Sequence, residues 1–568
     1  MAVQKYRLVF SRHRPEDPGT LVLLSPADTG WNDFGYNFHA TLVVSPNDAR
    51  KELNLKAYCI PVDEYGRPIR FATWFEENWR ARMRPFTYRS SGFLTLLATD
   101  DAYSKLFSWC KSDEEYRNIL LTINEITWLR ENYGFDAAKF RKIIGSEAFQ
   151  VGVLRSAGAY RAYRDGFHFG YRKSKAPVDV RKPFSFSVQL PGFSNEHSLD
   201  FNYKDLELIE DRVHCLIGRN GIGKTQVLRK LILSLAADED KENPFLDVHD
   251  SEYQNVLTKS SIANPYSRVI SYTTEVESAL PCGSRADTVF DYQHCNLSLP
   301  FDSGTGAKTI ASMLVSLVRD DEGPRNKFNR LGALKAAVLP HIDWDSIALP
   351  VKKDSGISSI SYNGVDWIRF STFASLNEER LLKASPQVIQ DIEIGHFNEE
   401  GDPVNVSSGQ RVFLRFAVHF LSYASKGSLV IFDEPETHLH PNLISSFAIL
   451  LYRVLAQTKS VAIVATHSPF IVREVPSHCV HVFQSKSRGS VEISTPYLKT
   501  LGASPTSLSL SIFGDDTAKK YYEKLLEAVA PTDLPIAGIL QNYGDVLSTD
   551  MLIQMRSIIE KRVLNAGD

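Results

Sequence analysis

Eight consecutive residues carry the strongest chemical signal: Gly218, Arg219, Asn220, Gly221, Ile222, Gly223, Lys224 and Thr225. They fit the pattern G-x-x-x-x-G-K-[ST] in full. Glycines let successive backbone N–H groups turn inward around a phosphate chain, and a helix that starts directly afterwards adds the positive end of its dipole. Lys224 supplies a point charge for β- and γ-phosphates, and the Thr225 hydroxyl is a natural ligand for Mg2+. The flanks suit this chemistry. Residues 212–217 form an apolar run of strand type, and 226–236 repeat apolar residues as a largely buried helix does. Asn220 and, at the helix start, Gln226 are counted with the loop as cofactor-binding positions. A second glycine run, 304–309, has Ala307 where a glycine must precede Lys308, and reads as a loop entering a helix.

Three further stretches could complete such a site. Residues 428–434 are an apolar strand ending in two carboxylates, Asp433 and Glu434. A continuous apolar run fits a strand covered on both faces, whose functional side chains sit at its C-terminal end. Asp433 is placed to hold Mg2+, and Glu434 to polarise an attacking water. Residues 461–466 form another buried strand that leads into His467, Ser468 and Pro469, and His467 can contact a γ-phosphate and orient the water. Finally, Ser407, Ser408 and Gly409 precede a helical stretch over 411–424 with an apolar face. The serines can cap that helix, and a serine-rich helix start is also a phosphate site.

These elements need a large scaffold, and the chain has one. Its 568 residues suggest two to four domains, with 43% hydrophobic and 23% charged residues as in soluble globular proteins. The net charge of -3 excludes a uniformly basic nucleic-acid coat. No apolar run approaches the roughly 20 residues needed to cross a bilayer, and the N-terminus lacks a signal-peptide core, so a cytoplasmic protein with no membrane contact is expected. The six cysteines, with no C-x-x-C pair, read as reduced and scattered; a zinc site could come only from distant ligands. Cys215 reads as a small core residue. The expected organisation is an N-terminal α+β region over 1–180, an ATPase domain over 181–515 with a helical insertion at about 300–400, and a helical tail over 516–568. Strands are expected at 6–10, 20–24 and 40–44, one helix over 113–133, and tail helices over 517–529 and 549–564.

In order, phosphate loop, serine-glycine signature, acidic strand and histidine turn resemble the ATPase heads of the ABC superfamily. The stretch from Asp433 to Pro441, with Thr466 to Pro469, is similar to its soluble branch, which includes OLD-type nucleases and many prokaryotic antiphage ATPases. The resemblance covers roughly 181–515. It implies an α/β fold, a mixed sheet flanked by helices, and a dimer that traps two ATP between two heads. Lys224 and Thr225 would bind phosphate and Mg2+, Asp433 would be the Walker B carboxylate, Glu434 the catalytic glutamate and His467 the switch histidine. Ser407, Ser408 and Gly409 would meet the γ-phosphate held by the opposite subunit, and His438 to His440 would fall in the dimer-contacting D-loop. Departures exist: Val406 and Ser408 replace the leucine and first glycine of a transporter signature, and Gln293 is only a candidate for the Q-loop. The signature lies 184 positions after Lys224 (224 to 408) with no coiled-coil arm between. No nuclease domain is expected after the head.

That combination resembles the PtuA family of Septu and retron-associated antiphage systems. It implies a slow ATPase acting with a separate HNH endonuclease, and in retron systems with a reverse transcriptase and its RNA–DNA hybrid. An autonomous DNA-repair ATPase of the SMC/RecF-like class is the alternative; a transporter subunit and a non-hydrolysing scaffold stand behind it. Between 155 and 182, eight basic side chains oppose two acidic ones, a net of +6, with tyrosines and phenylalanines interleaved. Arg155, Arg161, Arg164, Arg172, Lys173 and Lys175 are therefore candidates for contact with nucleic acid or an acidic partner. A smaller cluster is Arg80, Arg82, Arg84 and Arg89.

Overall fold

The computed structural model describes residues 6–11, 18–24, 37–46, 48–63, 67–69, 71, 74–75, 92–133, 143, 146–154, 156, 158–163, 166, 180–204, 210–236, 266, 268–275, 280–281, 291–298, 309–321, 328–353, 355–357, 360–389, 392–487, 489–513, 538, 541, 547–549 and 551–557. Two compact units result, Met1–Ala503 and Ser504–Asp568.

The chain opens on a five-stranded sheet of β1 (Arg7–Ser11), β2 (Thr20–Leu24), β3 (His39–Ser45), β4 (Leu53–Pro61) and β5 (Phe93–Leu97), in that order. Helices α1 (Asp100–Trp109), α2 (Asp113–Thr122), α3 (Ile126–Tyr133) and α4 (Glu147–Gly152) follow it. One core joins Leu42, Phe93, Tyr103, Ile119 and Phe149. The single helix expected over 113–133 is broken into α2 and α3. Asn124 takes φ +51°, a conformation that ends a right-handed helix and that Asn tolerates. The buried Glu125 carboxylate then accepts from Tyr103 Oη (2.7 Å), Thr127 Oγ1 (2.7 Å) and Trp128 N–H (2.8 Å), which restarts the helix.

Strands β6 (Phe184–Gln189) and β7 (Glu196–Phe201) form a hairpin. They are followed by β8 (Val213–Gly218), α5 (Lys224–Ala236), β9 (Arg268–Thr273), β10 (Asp291–Asn296), α6 (Ile310–Asp321) and α7 (Arg330–Val338). The insertion expected to be helical is mixed. After α6 and α7 comes a four-stranded antiparallel sheet of β11 (Ile347–Val351), β12 (Ile360–Tyr362), β13 (Val365–Arg369) and β14 (Gly395–His396), in the order β12-β13-β11-β14. Its hairpin turns at Asn363 and Gly364, both at positive φ (+50° and +76°), the pairing that a tight two-residue hairpin demands. Two short helices, Phe370–Ala374 and Glu378–Ala384, lie within it.

The chain then returns through α8 (Ser408–Tyr423), β15 (Ser428–Asp433), α9 (Pro441–Thr458), β16 (Val461–Thr466), β17 (Val480–Ser487) and β18 (Ser490–Ser494). The main sheet runs β10-β9-β15-β16-β8-β17-β18, parallel throughout except for β18. Every residue of β8, β9, β15 and β16 is buried, as expected of parallel strands covered on both faces. This α/β architecture places the C-terminal ends of β8, β15 and β16 side by side. The second unit contains α10 (Pro505–Phe513) and helical residues 551–557. It starts at Ser504, before the tail expected at 516; residues 517–529 lie outside the described residues. Among the described residues, no helix is long and apolar enough to cross a membrane.

Neighbouring strands bring His214 and His481 into contact, ring nitrogens 3.1 Å apart. Burial pushes His214 down to about 3 and His481 to about 4. The unfolded chain, titrating near 6.5, then binds protons that the folded one does not. The contribution of this pair is therefore full above about 6.5 and is lost as pH falls towards 4, against the opposite slope from the raised Asp433 carboxyl. Urea midpoints measured across this window should fall, and a His214→Asn, His481→Asn double variant should flatten the slope.

Candidate functional site

Loop 218–223 leaves β8 between two close neighbours. A side chain at Gly218 would place its Cβ 2.7 Å from the Phe483 carbonyl oxygen, and one at Gly223 would meet Leu190 at 2.8 Å. Gly221 and Gly223 hold φ of +77° and +96°, which an L side chain adopts only under strain. Space thus requires glycine at 218, backbone conformation at 221, and both at 223, directly before α5. Asn220 and Gly221 are exposed. Gln226 sits in the first turn of α5, its Oε1 buried without a hydrogen-bond partner.

Lys224 is only 4% exposed. Its ammonium donates to the carbonyls of Gly218 (2.9 Å) and Arg219 (3.2 Å) and lies 3.8 Å from Glu434 Oε1. Burial lowers its pKa against the pull of Glu434 and Asp433. One residue on, Thr225 Oγ1 donates to Asp433 Oδ1 at 2.9 Å, tying β15 to α5 across 208 positions. Burial raises the Asp433 carboxyl to about 7, with Glu434 and Glu275 adding to the rise. A dry carboxylate next to a hydroxyl, with two more carboxylates nearby, suits a divalent cation, which would hold Asp433 ionised. The residues therefore fit Mg2+, with Thr225 and Asp433 as its ligands.

Glu434 stands at φ +50°, outside the ordinary range of a non-glycine residue. Its N–H donates to Ala465 O (2.9 Å), and its carbonyl accepts from Thr274 Oγ1 and Thr437 Oγ1 (both 3.0 Å). Pinning from three sides sustains a conformation that costs on the order of 1–3 kcal/mol. It aims the carboxylate towards Lys224 and towards His467 Nδ1, 3.5 Å away. The His467 side chain is 43% exposed.

Two contributors carry no sequence signal of their own. Glu436 is buried, and its Oε1 accepts from the Thr466 hydroxyl and from the His467 N–H at 2.8 Å, with His467 Nδ1 at 3.4 Å. It holds the histidine turn against the acidic segment. Glu436→Ala should lower kcat on the order of tenfold while KM for ATP stays within about twofold. Glu436→Gln, which keeps an acceptor oxygen, should recover most of the loss. Thr274 and Glu275 form the second, at the end of β9 beside Asp433. Gln293, the Q-loop candidate, instead sits mid-strand in β10, two strands from β15.

The signature residues are organised separately. Ser407 caps α8 in a reciprocal capping box: its Oγ accepts from Gln410 N–H (3.2 Å), and Gln410 Oε1 accepts from Ser407 N–H (2.9 Å). The helix therefore starts at Ser408, three residues earlier than expected. A Cβ at Gly409 would lie 2.6 Å from the His438 carbonyl oxygen, so α8 packs directly on the segment after the acidic strand. A cavity of about 340 Å³, lined by Asp343, Glu399, Glu400 and Gln410 among others, opens beside this helix start. Among the described residues, the side-chain hydrogen bonds of Ser407 and Gln410 run to each other and to His341, not to the phosphate loop.

The basic region is placed only in part. Arg155, Arg164, Arg172, Lys173 and Lys175, and the cluster Arg80 to Arg89, lie outside the described residues. Of the interleaved tyrosines, Tyr160 and Tyr163 are described, and both make internal contacts: Tyr160 bonds Ser316 (3.0 Å) under Arg319, and Tyr163 meets Phe149 edge-on. Arg161 lies on the same described helical stretch.

Residues 332–473 match the profile of an AAA domain family whose description also names the AbiEii toxin and a type IV TA system. That stretch is similar to an AAA domain and carries the signature, Asp433, Glu434 and His467. Protein ea59 of Escherichia phage lambda is 24% identical over 408 residues, 71% of this chain and 69% of its own length. Solved structures with partial overlap include UvrA2 from Deinococcus radiodurans, 12% identical with a TM-score of 0.29, covering 60% of this chain and 41% of its own. The SMC head domain from Thermotoga maritima is 11% identical with a TM-score of 0.23, covering 56% of this chain and 100% of its own.

Proposed function

We propose that this chain binds ATP with Mg2+, hydrolyses it slowly, and acts as the regulatory subunit of an antiphage defence complex. The observation that carries the ATPase reading is the convergence of Lys224, Thr225, Asp433, Glu434 and His467 at three adjacent strand ends. When bound, Mg2+ would draw charge from the phosphate oxygens. The loop N–H groups and Lys224 hold the phosphate chain. Glu434 accepts a hydrogen bond from the attacking water and takes its proton, and His467 orients that water from the exposed side.

The signature points to two copies. Ser407 to Gly409 form a capped helix start whose side-chain hydrogen bonds run within that start and to His341, and a second copy's nucleotide is the partner proposed for it. Two ATP would then be sandwiched between two heads. Control of a separate HNH-type nuclease, with or without a reverse transcriptase and its RNA–DNA hybrid, extends this reading. Support comes from the domain family's description, which names a toxin of a type IV TA system, and from a relative carried by a phage. Purification of the tagged native complex tests it, with co-purifying protein and nucleic acid identified. A nuclease that depends on ATP for retention is the expected result. Recovery of the ATPase alone, with turnover rising on bare DNA, would replace this reading with an autonomous DNA-repair ATPase.

A further inference from the structure

At the end of the main sheet opposite the phosphate loop, three side chains from distant positions meet. Asp211 lies just before β8, and His478 and Cys479 lie in the 3-10 turn Ser477–Cys479 just before β17. These strands are parallel neighbours, Val480 beside Cys215, so their leading turns are brought together. One ligand atom from each residue lies within 4.8 Å of the others, and among the described residues this is the one such group of carboxylate, imidazole and thiol.

A second observation comes from the carboxylate itself. Asp211 is 2% exposed. Its Oδ2 accepts from Lys204 N–H (2.8 Å) and from His478 Nε2 (2.6 Å). Its Oδ1 is buried and has no hydrogen-bond partner. A buried carboxylate oxygen left unpaired is costly and calls for a cation. The Cys479 thiol is buried too, its Sγ 3.9 Å from the Asn202 carbonyl oxygen. His478, 30% exposed in its side chain, gives a path from solvent.

We infer that Asp211, His478 and Cys479 bind a thiophilic divalent transition metal, Zn2+ in the first instance. One sulfur, one nitrogen and one oxygen ligand suit zinc, with a fourth position open to water on the His478 side. Bond lengths of about 2.0–2.3 Å put tetrahedral ligands roughly 3.3–3.7 Å apart, so the cluster closes by shifts on the order of 1 Å. Binding moves the His478 proton to Nδ1, freeing Nε2 for the metal. The Cys479 thiol loses its proton to solvent, and Asp211 turns Oδ1 onto the ion while Oδ2 keeps the Lys204 N–H. A dication against one carboxylate and one thiolate leaves the buried cluster neutral. The metal would staple the leading end of β8, which carries the phosphate loop, to that of its neighbour β17.

The test uses the full chain, stripped with a chelator and titrated with Zn2+ against a chromophoric competitor. One saturable equivalent per chain is expected. Cys479→Ser and Asp211→Asn should each weaken it at least tenfold, and Cys295→Ser, on β10, should leave it unchanged. Absence of saturable binding, or equal affinity in both cluster variants, overturns the assignment. Should those variants fail to fold, Co2+ added to the unaltered chain decides. A near-ultraviolet thiolate-to-cobalt charge-transfer band supports the site, and its absence overturns it.

Discussion

Glu434→Gln is expected to lower ATP turnover by about 100–10,000-fold while nucleotide affinity stays within a few-fold. The amide keeps the volume and the backbone bonds that hold position 434 at φ +50°, so the site's shape survives. What it loses is a group able to take a proton from water. Removing a negative charge 3.8 Å from the Lys224 ammonium also leaves that cation freer to meet phosphate. Affinity should therefore hold or tighten, and the ATP-bound pair of chains should persist. A coupled assay measures the first effect, and gel filtration with and without ATP the second. Unchanged turnover would remove Glu434 from its role.

Lys224→Ala should weaken ATP binding at least 100-fold, about 2.7 kcal/mol. Lys224 is the cation buried within the loop, held there by the Gly218 and Arg219 carbonyls. Without it, the phosphate chain faces Asp433 and Glu434 with no side-chain cation inside the loop, and Mg2+ alone offsets their charge. Lys224→Arg should rescue poorly, because a planar fork does not replace a compact ammonium in so enclosed a position. Calorimetry reads the loss directly, and the thermal shift that ATP gives the unaltered chain should vanish. Full affinity in Lys224→Ala would sink the nucleotide reading altogether.

The parts of the site legible in sequence are those whose spacing is local. Glycine at 218, 221 and 223, and Lys-Thr directly after, are dictated by a backbone that must close on phosphate within one turn. Asp433, Glu434 and His467 could be read because each ends an apolar run, and a buried parallel strand presents chemistry at its end. Glu436 is only two residues from Glu434, yet its role depends on Thr466 and His467, 30 and 31 positions on, and no periodicity records that. Thr274 and Glu275 enter only because β9 pairs with β15. The strands of the insertion are hidden in the sequence for another reason. They are short, and the Asn363-Gly364 turn carries the hairpin signal while the flanking residues do not alternate cleanly. Between α2 and α3, Asn124 interrupts an apolar pattern that by itself continues.

The strand order also sets a timetable. β8, which carries the phosphate loop, is flanked by β16 and β17, with Ala462 beside Val213 and Val480 beside Cys215. During synthesis, β8 therefore emerges about 250 residues before either neighbour, roughly 12–50 s at about 5–20 residues per second. Through that interval the backbone N–H and C=O groups along both its edges have no native partner. A ribosome-released chain ending at 459 should be captured by a holdase chaperone, whereas one ending at 503 should escape it.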